Sequence, residues 1–300
     1  MNRLILLFVL ASLLASSSAQ NAPQLTPSET WATTVGNHYL IYPDVVYGRA
    51  NNYDLKLDVW QRSKEKTPAP TLVYYHGGGW IFGDRTGATL FFLPFLEKGW
   101  NVVNVEYRMA DVAQAPSAVE DARCALRWVV TNASRYNIDT HRIVLMGHSV
   151  GGHLSLISGM LPEGSPLENR CYGTEKVSVA AIINWYGISD VLDLVHAPNV
   201  RNYAMMWMGS SPNADEIAKQ TSPITYVRSG LPPVISIHGS DDPVVPYQQS
   251  VRLHAALDRA GVPNELVTIQ GGHHGGFSDG EVADAYKKID AFLRKLNLVQ

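Results

Sequence analysis

Residues 147–151 read GHSVG, directly after the apolar run IVLM at 143–146. A strand that runs straight into a helix leaves little room at the junction. Gly147 and Gly151 remove side chains where the two elements crowd, and Ser149 is left on a strained turn with its hydroxyl exposed. The N-terminus of the next helix adds backbone N–H groups and a positive field. A serine held this way is placed to attack a carbonyl. A plain helix cap would explain the serine alone, but the strand before it and the helix after it are what a nucleophile turn requires.

Working outward, several other short segments are almost continuously apolar: TLVYYH at 71–76, VVNVEY at 102–107, VAAIINW at 179–185 and PVISIHG at 233–239, with a further strand at 266–270. Leu55, Leu57 and Val59 alternate with polar residues, the period of a half-buried strand. Between these lie segments of helical character. One starts at Pro116 and Ser117 and continues through Val119, Ala122, Ala125, Leu126, Val129 and Val130 at three-to-four spacing. Others are predicted at 89–98, 153–159, 251–260 and 282–296, whereas residues 20–35 read as a loose lead-in. Apolar strands alternating with helices predict an α/β fold with a mostly parallel central sheet covered by helices on both faces. Residues 187–230 carry Tyr203, Met205, Met206, Trp207 and Met208 in an irregular stretch, read as an insertion over the active-site edge.

The chain has 300 residues and a net charge of −3, with 46% hydrophobic and 17% charged residues. This composition suits a globular protein and gives no basic footprint for nucleic acid. Arg3, the apolar run 4–14 and the small residues Ser17-Ser18-Ala19 read as a signal peptide over 1–19. The expected product is a secreted or periplasmic protein with one catalytic domain, 20–300, and no membrane span. Export permits disulfides, and the only pairing on offer is Cys124 with Cys171. Two separate thiols fit the sequence as well.

Ligands of such a sheet sit beyond the carboxyl ends of its strands. A serine there needs a base and an orienting carboxylate. QGGHHGGF at 270–277 offers His273 and His274, and HGSDDPVVP at 238–246 offers Asp241 and Asp242, giving the chain order serine, aspartate, histidine. HGGGW at 76–80 ends a strand in glycines whose N–H groups, with that of Val150, can meet the charge built up during acyl transfer. No phosphate-binding GK[ST] or GxGxxG spacing accompanies that glycine run.

Together these motifs resemble the α/β-hydrolase superfamily over nearly the whole chain. HGGGW, EYR at 106–108, AVEDARCALRWV at 118–129 and GHSVGGH at 147–153 look like hormone-sensitive-lipase-like carboxylesterases. HGSDDPVVPYQQS at 238–250 and HGGF at 274–277 look closer to the feruloyl and acetyl-xylan esterase branch. The resemblance implies Ser149 as nucleophile, Asp242 as acid and His274 as base. It implies Gly78, Gly79 and Val150 as oxyanion donors, with Gly77 shaping the turn and Asp241 at the surface or behind the site. Val150 stands where the family commonly has Ala, and its methyls are expected to narrow the acyl side of the pocket. His76 and His148 are expected to hold loops, Asp190 to support the insertion, and Trp80, Trp185 and Trp207 either to pack in the core or to line an aromatic or sugar site.

The expected reaction is hydrolysis of a small-molecule or polysaccharide-linked ester through an acyl-serine, without cofactor or metal. Acetyl and feruloyl esters of hemicellulose are the leading substrates, with general short-chain esters as the main rival. Formamidase, long-chain lipase and peptidase activities fit less well. A binding protein on a hydrolase fold would not need the full serine, aspartate and histidine set.

Overall fold

The computed structural model describes residues 25–50, 52–63 and 66–299. Residues 1–19, expected to be a signal peptide, lie outside them. An eight-stranded sheet runs in the order β1-β2-β4-β3-β5-β6-β7-β8. Its strands are β1 (Tyr39–Ala50), β2 (Tyr53–Arg62), β3 (Ala69–Tyr75), β4 (Asn101–Val105), β5 (Ile138–His148), β6 (Ala181–Trp185), β7 (Val234–Gly239) and β8 (Asn264–Ile269). β1 pairs antiparallel with β2, and β2 antiparallel with β4, while every pairing from β4 through β3 to β8 is parallel.

The pleat sorts each apolar run onto two faces. Val73, Tyr75 and Leu145 pack with α3 (Ser117–Thr131) and α4 (Val150–Met160) on one face, and Ile182 and Val234 continue that face against α7 (Gln248–Arg259). Leu72, Tyr74, Val144 and Met146 pack on the other against α1 (Pro27–His38), α2 (Leu93–Glu97) and α8 (Asp279–Lys295). Leu72, Val73, Tyr74 and Tyr75 are all fully buried. Burial on both faces is why these strands lack the polar alternation of a surface strand.

The structure departs from the sequence reading at four places. The predicted loose lead-in is helical from Pro27, because Thr26 and Glu29 form a reciprocal capping box and Pro27 fits the first turn. The strand β1 was not foreseen, since as an edge strand it leaves Leu40, Ile41 and Val46 about half exposed and shows no clean alternation. The segment 187–230 is less irregular than read, for it holds α5 (Asn202–Met208) and α6 (Ala214–Gln220). The helix expected at 153–159 starts earlier, at Val150, immediately after the serine.

Cys124 and Cys171 are joined in a disulfide, tying α3 to the connection after α4. Nearby, Arg123 and Arg127 converge on Glu168. Among the described residues no helix is long and apolar enough to cross a membrane.

Candidate active site

Ser149 sits between the end of β5 and the start of α4 with φ 56° and ψ −120°, outside the conformations L-residues favour. The flanking glycines make that turn possible. A Cβ on Gly147 would lie 2.3 Å from the Gly151 backbone, and one on Gly151 would lie 1.9 Å from the Tyr75 carbonyl oxygen. Strand, turn and helix therefore touch through bare backbone.

Ser149 Oγ lies 2.8 Å from His274 Nε2, and His274 Nδ1 lies 2.7 Å from Asp242 Oδ2. In a neutral imidazole, Nδ1–H donates to the carboxylate and Nε2 accepts from the serine hydroxyl. The three residues come from the ends of β5 and β7 and from the loop after β8. Parallel strands place these ends along one edge of the sheet. Of the paired candidates, Asp241 is exposed and accepts from Ser240 Oγ, while His273 is also exposed and forms a bridge with Gly275.

Asp242 is held from four directions. Oδ1 accepts from the N–H groups of Val244 and Val245, and Oδ2 faces both His274 Nδ1 and His238 Nε2, the latter at 3.2 Å. Burial alone would raise its pKa, but the bonds from His238, His274 and Val245 outweigh that and hold the carboxyl well below the usual range. The HGxxD pattern contained His238 only as a marker for the acid, and its contact with the acid was not read from it. Tyr186, at φ 40°, places its ring edge-on to His274 with centroids 4.6 Å apart.

The glycine turn after β3 faces the serine. A Cβ on Gly77 would fall 2.9 Å from the His148 carbonyl oxygen. Gly78 has φ 124°, and a Cβ there would meet the Phe82 carbonyl oxygen at 1.7 Å, so only glycine fits. The N–H groups of Gly78, Gly79 and Val150 have no acceptor among the described residues. The EYR stretch anchors this turn. Tyr107 donates to the His76 carbonyl and stacks on the His76 ring, Glu106 Oε1 lies 3.3 Å from His76 Nε2, and Arg108 forks onto buried Asp121 of α3. His76 Nδ1 donates to the Gly77 carbonyl.

A cavity of about 540 Å³ opens over the serine, lined by Gly77, Gly78, Gly79, Phe82, Phe91, His148, Tyr186, Tyr203, Val244 and His274 among others. Val150 does not line it. Its side chain is fully buried in the α3–α4 core, so the expected narrowing of the pocket by its methyls is wrong. Trp80, Trp185 and Trp207 are likewise core residues, and Trp80 stacks on Trp207 at 4.1 Å. That stack fastens α5 to the glycine turn and so carries Tyr203 to the cavity wall, where its hydroxyl donates to the Val244 carbonyl. His153 Nε2 bonds the Thr221 carbonyl, a second tie to the same segment. Asp190 and Asp193 pair with Arg252 of α7, closing the segment's base. Among the described residues no cluster could hold a metal ion.

Residues 57–257 match the BD-FAE family model. The chain is 31% identical over 242 residues to the esterase LipQ of Mycobacterium tuberculosis, a match covering 77% of this chain and 56% of that protein. It thus spans about half the length of that curated relative. Among solved structures it resembles a truncated form of a carbohydrate esterase from gut microbiota, at 26% identity with a TM-score of 0.73, covering 86% of this chain and 96% of that one. It also resembles the butyrate-bound esterase Est2 of Thermogutta terrifontis, at 27% identity with a TM-score of 0.72, covering 85% and 94%.

Proposed function

The chain belongs to the BD-FAE family of α/β-hydrolase-fold esterases, and from that premise we propose that it is a serine carboxylesterase acting on acetyl or feruloyl esters of hemicellulose. The observation that carries the chemistry is the unbroken hydrogen-bond line from Ser149 through His274 to Asp242. His274 takes the serine proton as Oγ attacks the ester carbonyl. The charged imidazole is stabilised by Asp242, which stays ionised throughout. The free N–H groups of Gly78, Gly79 and Val150 would receive the oxyanion. His274 then protonates the departing alcohol and activates the water that releases the acid. This scheme uses no cofactor or metal.

The substrate reading draws support from several sides. A gut carbohydrate esterase shares the fold over nearly its full length. Phe82, Phe91, Tyr186 and Tyr203 give the cavity aromatic walls suited to a planar aryl acyl group. We place the protein outside the cytoplasm, on the signal-like start of the chain and on the Cys124–Cys171 bond, which persists best under oxidising conditions. Kinship to the hormone-sensitive-lipase-like group is part of the same proposal, resting on HGGGW and GHSVGG.

A second reading, a general short-chain carboxylesterase, is favoured by the likeness to an esterase holding butyrate. A panel of p-nitrophenyl acetate and butyrate, methyl ferulate and acetylated xylan separates the two. Release of acetate from xylan or of ferulate supports the hemicellulose reading. Turnover confined to the small activated esters supports the second, and inertness toward all of them would sink both.

A further inference from the structure

His148 precedes the serine, and its ring is fixed on three sides. Trp185 stacks on it with centroids 5.1 Å apart, Phe91 covers it at 4.4 Å, and Tyr186 meets it edge-on at 5.7 Å. The Tyr74 hydroxyl lies 2.9 Å from Nδ1. Tyr74 is fully buried, and its hydroxyl has no other partner among the described residues, so it donates to Nδ1. An accepting Nδ1 leaves the proton on Nε2. Burial, with His274 nearby, pushes the His148 pKa down to about 3, so the ring stays neutral. Among the described residues Nε2 has no partner, the atom is not sealed from the cavity, and the residue lines that cavity.

The ring thus offers one N–H donor at a fixed angle into a cavity with aromatic walls beside the nucleophile. Among the described residues no Lys or Arg lines that cavity, and Asp84 does, so an anionic substituent would be poorly held. The partner that fits is an uncharged acceptor oxygen.

We propose that His148 is a substrate-binding residue whose Nε2–H reads a hydroxyl or ether oxygen carried by the ester substrate. The oxygen can sit on the acyl side, as on a hydroxylated aryl acid, or on the alcohol side, as a ring hydroxyl beside a sugar ester. The inference rests on the esterase reading above and adds a determinant of which esters are preferred. Phe91, Trp185 and Tyr74 act through the ring as positioning residues.

The test compares matched substrate pairs in wild type, His148→Phe and Tyr74→Phe. The acyl-side pair is methyl 4-hydroxycinnamate and methyl cinnamate. The alcohol-side pair is a mono-acetylated methyl xyloside and cyclohexyl acetate. Wild type should favour the oxygen-bearing member of at least one pair in kcat/KM. His148→Phe should reduce that preference about tenfold, the scale of one lost hydrogen bond with its desolvation. Tyr74→Phe, which frees the tautomer and leaves the ring in place, should reduce it about threefold. A purely structural role would lower both members equally and leave the ratio unchanged. If His148→Phe fails to fold by circular dichroism, the Tyr74→Phe ratio decides. Loss in one pair alone assigns the oxygen to that side. Unchanged ratios in an active enzyme, or a wild type without preference in either pair, overturn the inference while leaving the esterase reading intact. A wild type inert toward p-nitrophenyl acetate instead defeats the esterase reading itself.

Discussion

His238 Nε2 lies 3.2 Å from Asp242 Oδ2, the same oxygen that His274 Nδ1 meets at 2.7 Å. His238 is fully buried. Its Nδ1 lies 2.7 Å from Ser250 Oγ, while Nε2 faces two acceptors, the Val245 carbonyl and the carboxylate, so the proton sits on Nε2. Two imidazoles therefore share one carboxylate oxygen, and each weakens its hold on the other.

Removing His238 should show this sharing directly. In His238→Phe, Asp242 loses one of the four contacts that hold it, and the carboxylate that orients His274 is less firmly placed. The rate should fall about tenfold, the cost of one hydrogen bond to a charged group. A kcat/KM at its wild-type value would mean that His238 only fills space.

The glycine turn gives a second prediction. An added methyl at Gly78 would overlap the Phe82 carbonyl and strain the positive φ, so Gly78→Ala must displace the turn. Loss of one oxyanion donor typically costs about 10²–10³ in kcat. Gly78→Ala should fall in that range with KM nearly unchanged and the thermal transition within a few degrees of wild type. A variant with wild-type kcat would remove Gly78 from the oxyanion site.

Buried histidines set an acid limit on stability. Burial pushes His148 down to about 3 and His153 to about 4, where the backbone bond to Thr221 only partly offsets it. In the unfolded chain both titrate near about 6.5. Below that pH the unfolded state binds protons that the folded state refuses. Stability is therefore full above about 6.5 and falls as the pH drops toward the folded values. Two protons correspond to a slope on the order of 2–3 kcal/mol per pH unit. Urea unfolding at pH 7.0, 6.0 and 5.0 measures it, and His153→Gln should reduce the slope by about one proton. A flat profile would show that these rings are protonated in the folded state.

The disulfide closes a separation of 47 residues. Chain-entropy reasoning gives about 4 kcal/mol for a loop of that size, with measured values often lower. Reduction, or the double change Cys124→Ser and Cys171→Ser, should cost about 2–4 kcal/mol in urea unfolding. It should leave kcat/KM on p-nitrophenyl acetate near wild type, because neither cysteine lines the cavity over the serine. An unchanged midpoint would mean the bridge adds nothing to stability.

What could be read from the sequence followed the physics of each feature. The central strands were legible because burial on both faces makes them uniformly apolar, and Gly147 and Gly151 marked a close approach. The pairing of Ser149, Asp242 and His274 came from motif order. The choice between Asp241 and Asp242, or His273 and His274, needed the family resemblance, since neighbouring residues carry equal chemistry. β1 escaped because an edge strand exposes Leu40 and Ile41, and α1 because its helix signal lies in the Thr26–Glu29 cap within a polar stretch. Val150 misled because a residue next to the nucleophile need not point at the substrate, and its side chain follows the helix into the core. The clamp on His148 joins four segments and left no local pattern.

The most direct test of the account is where an acyl group lands. Wild type and Ser149→Ala would be mixed with p-nitrophenyl acetate, quenched in acid within the first turnovers, and mapped by peptide mass spectrometry while steady-state rates are recorded. The account predicts an acetyl adduct on Ser149 in wild type, and in a folded Ser149→Ala neither adduct nor turnover above about a thousandth of wild type. An acetyl group mapped to another residue, or a Ser149→Ala variant with wild-type turnover, would contradict it.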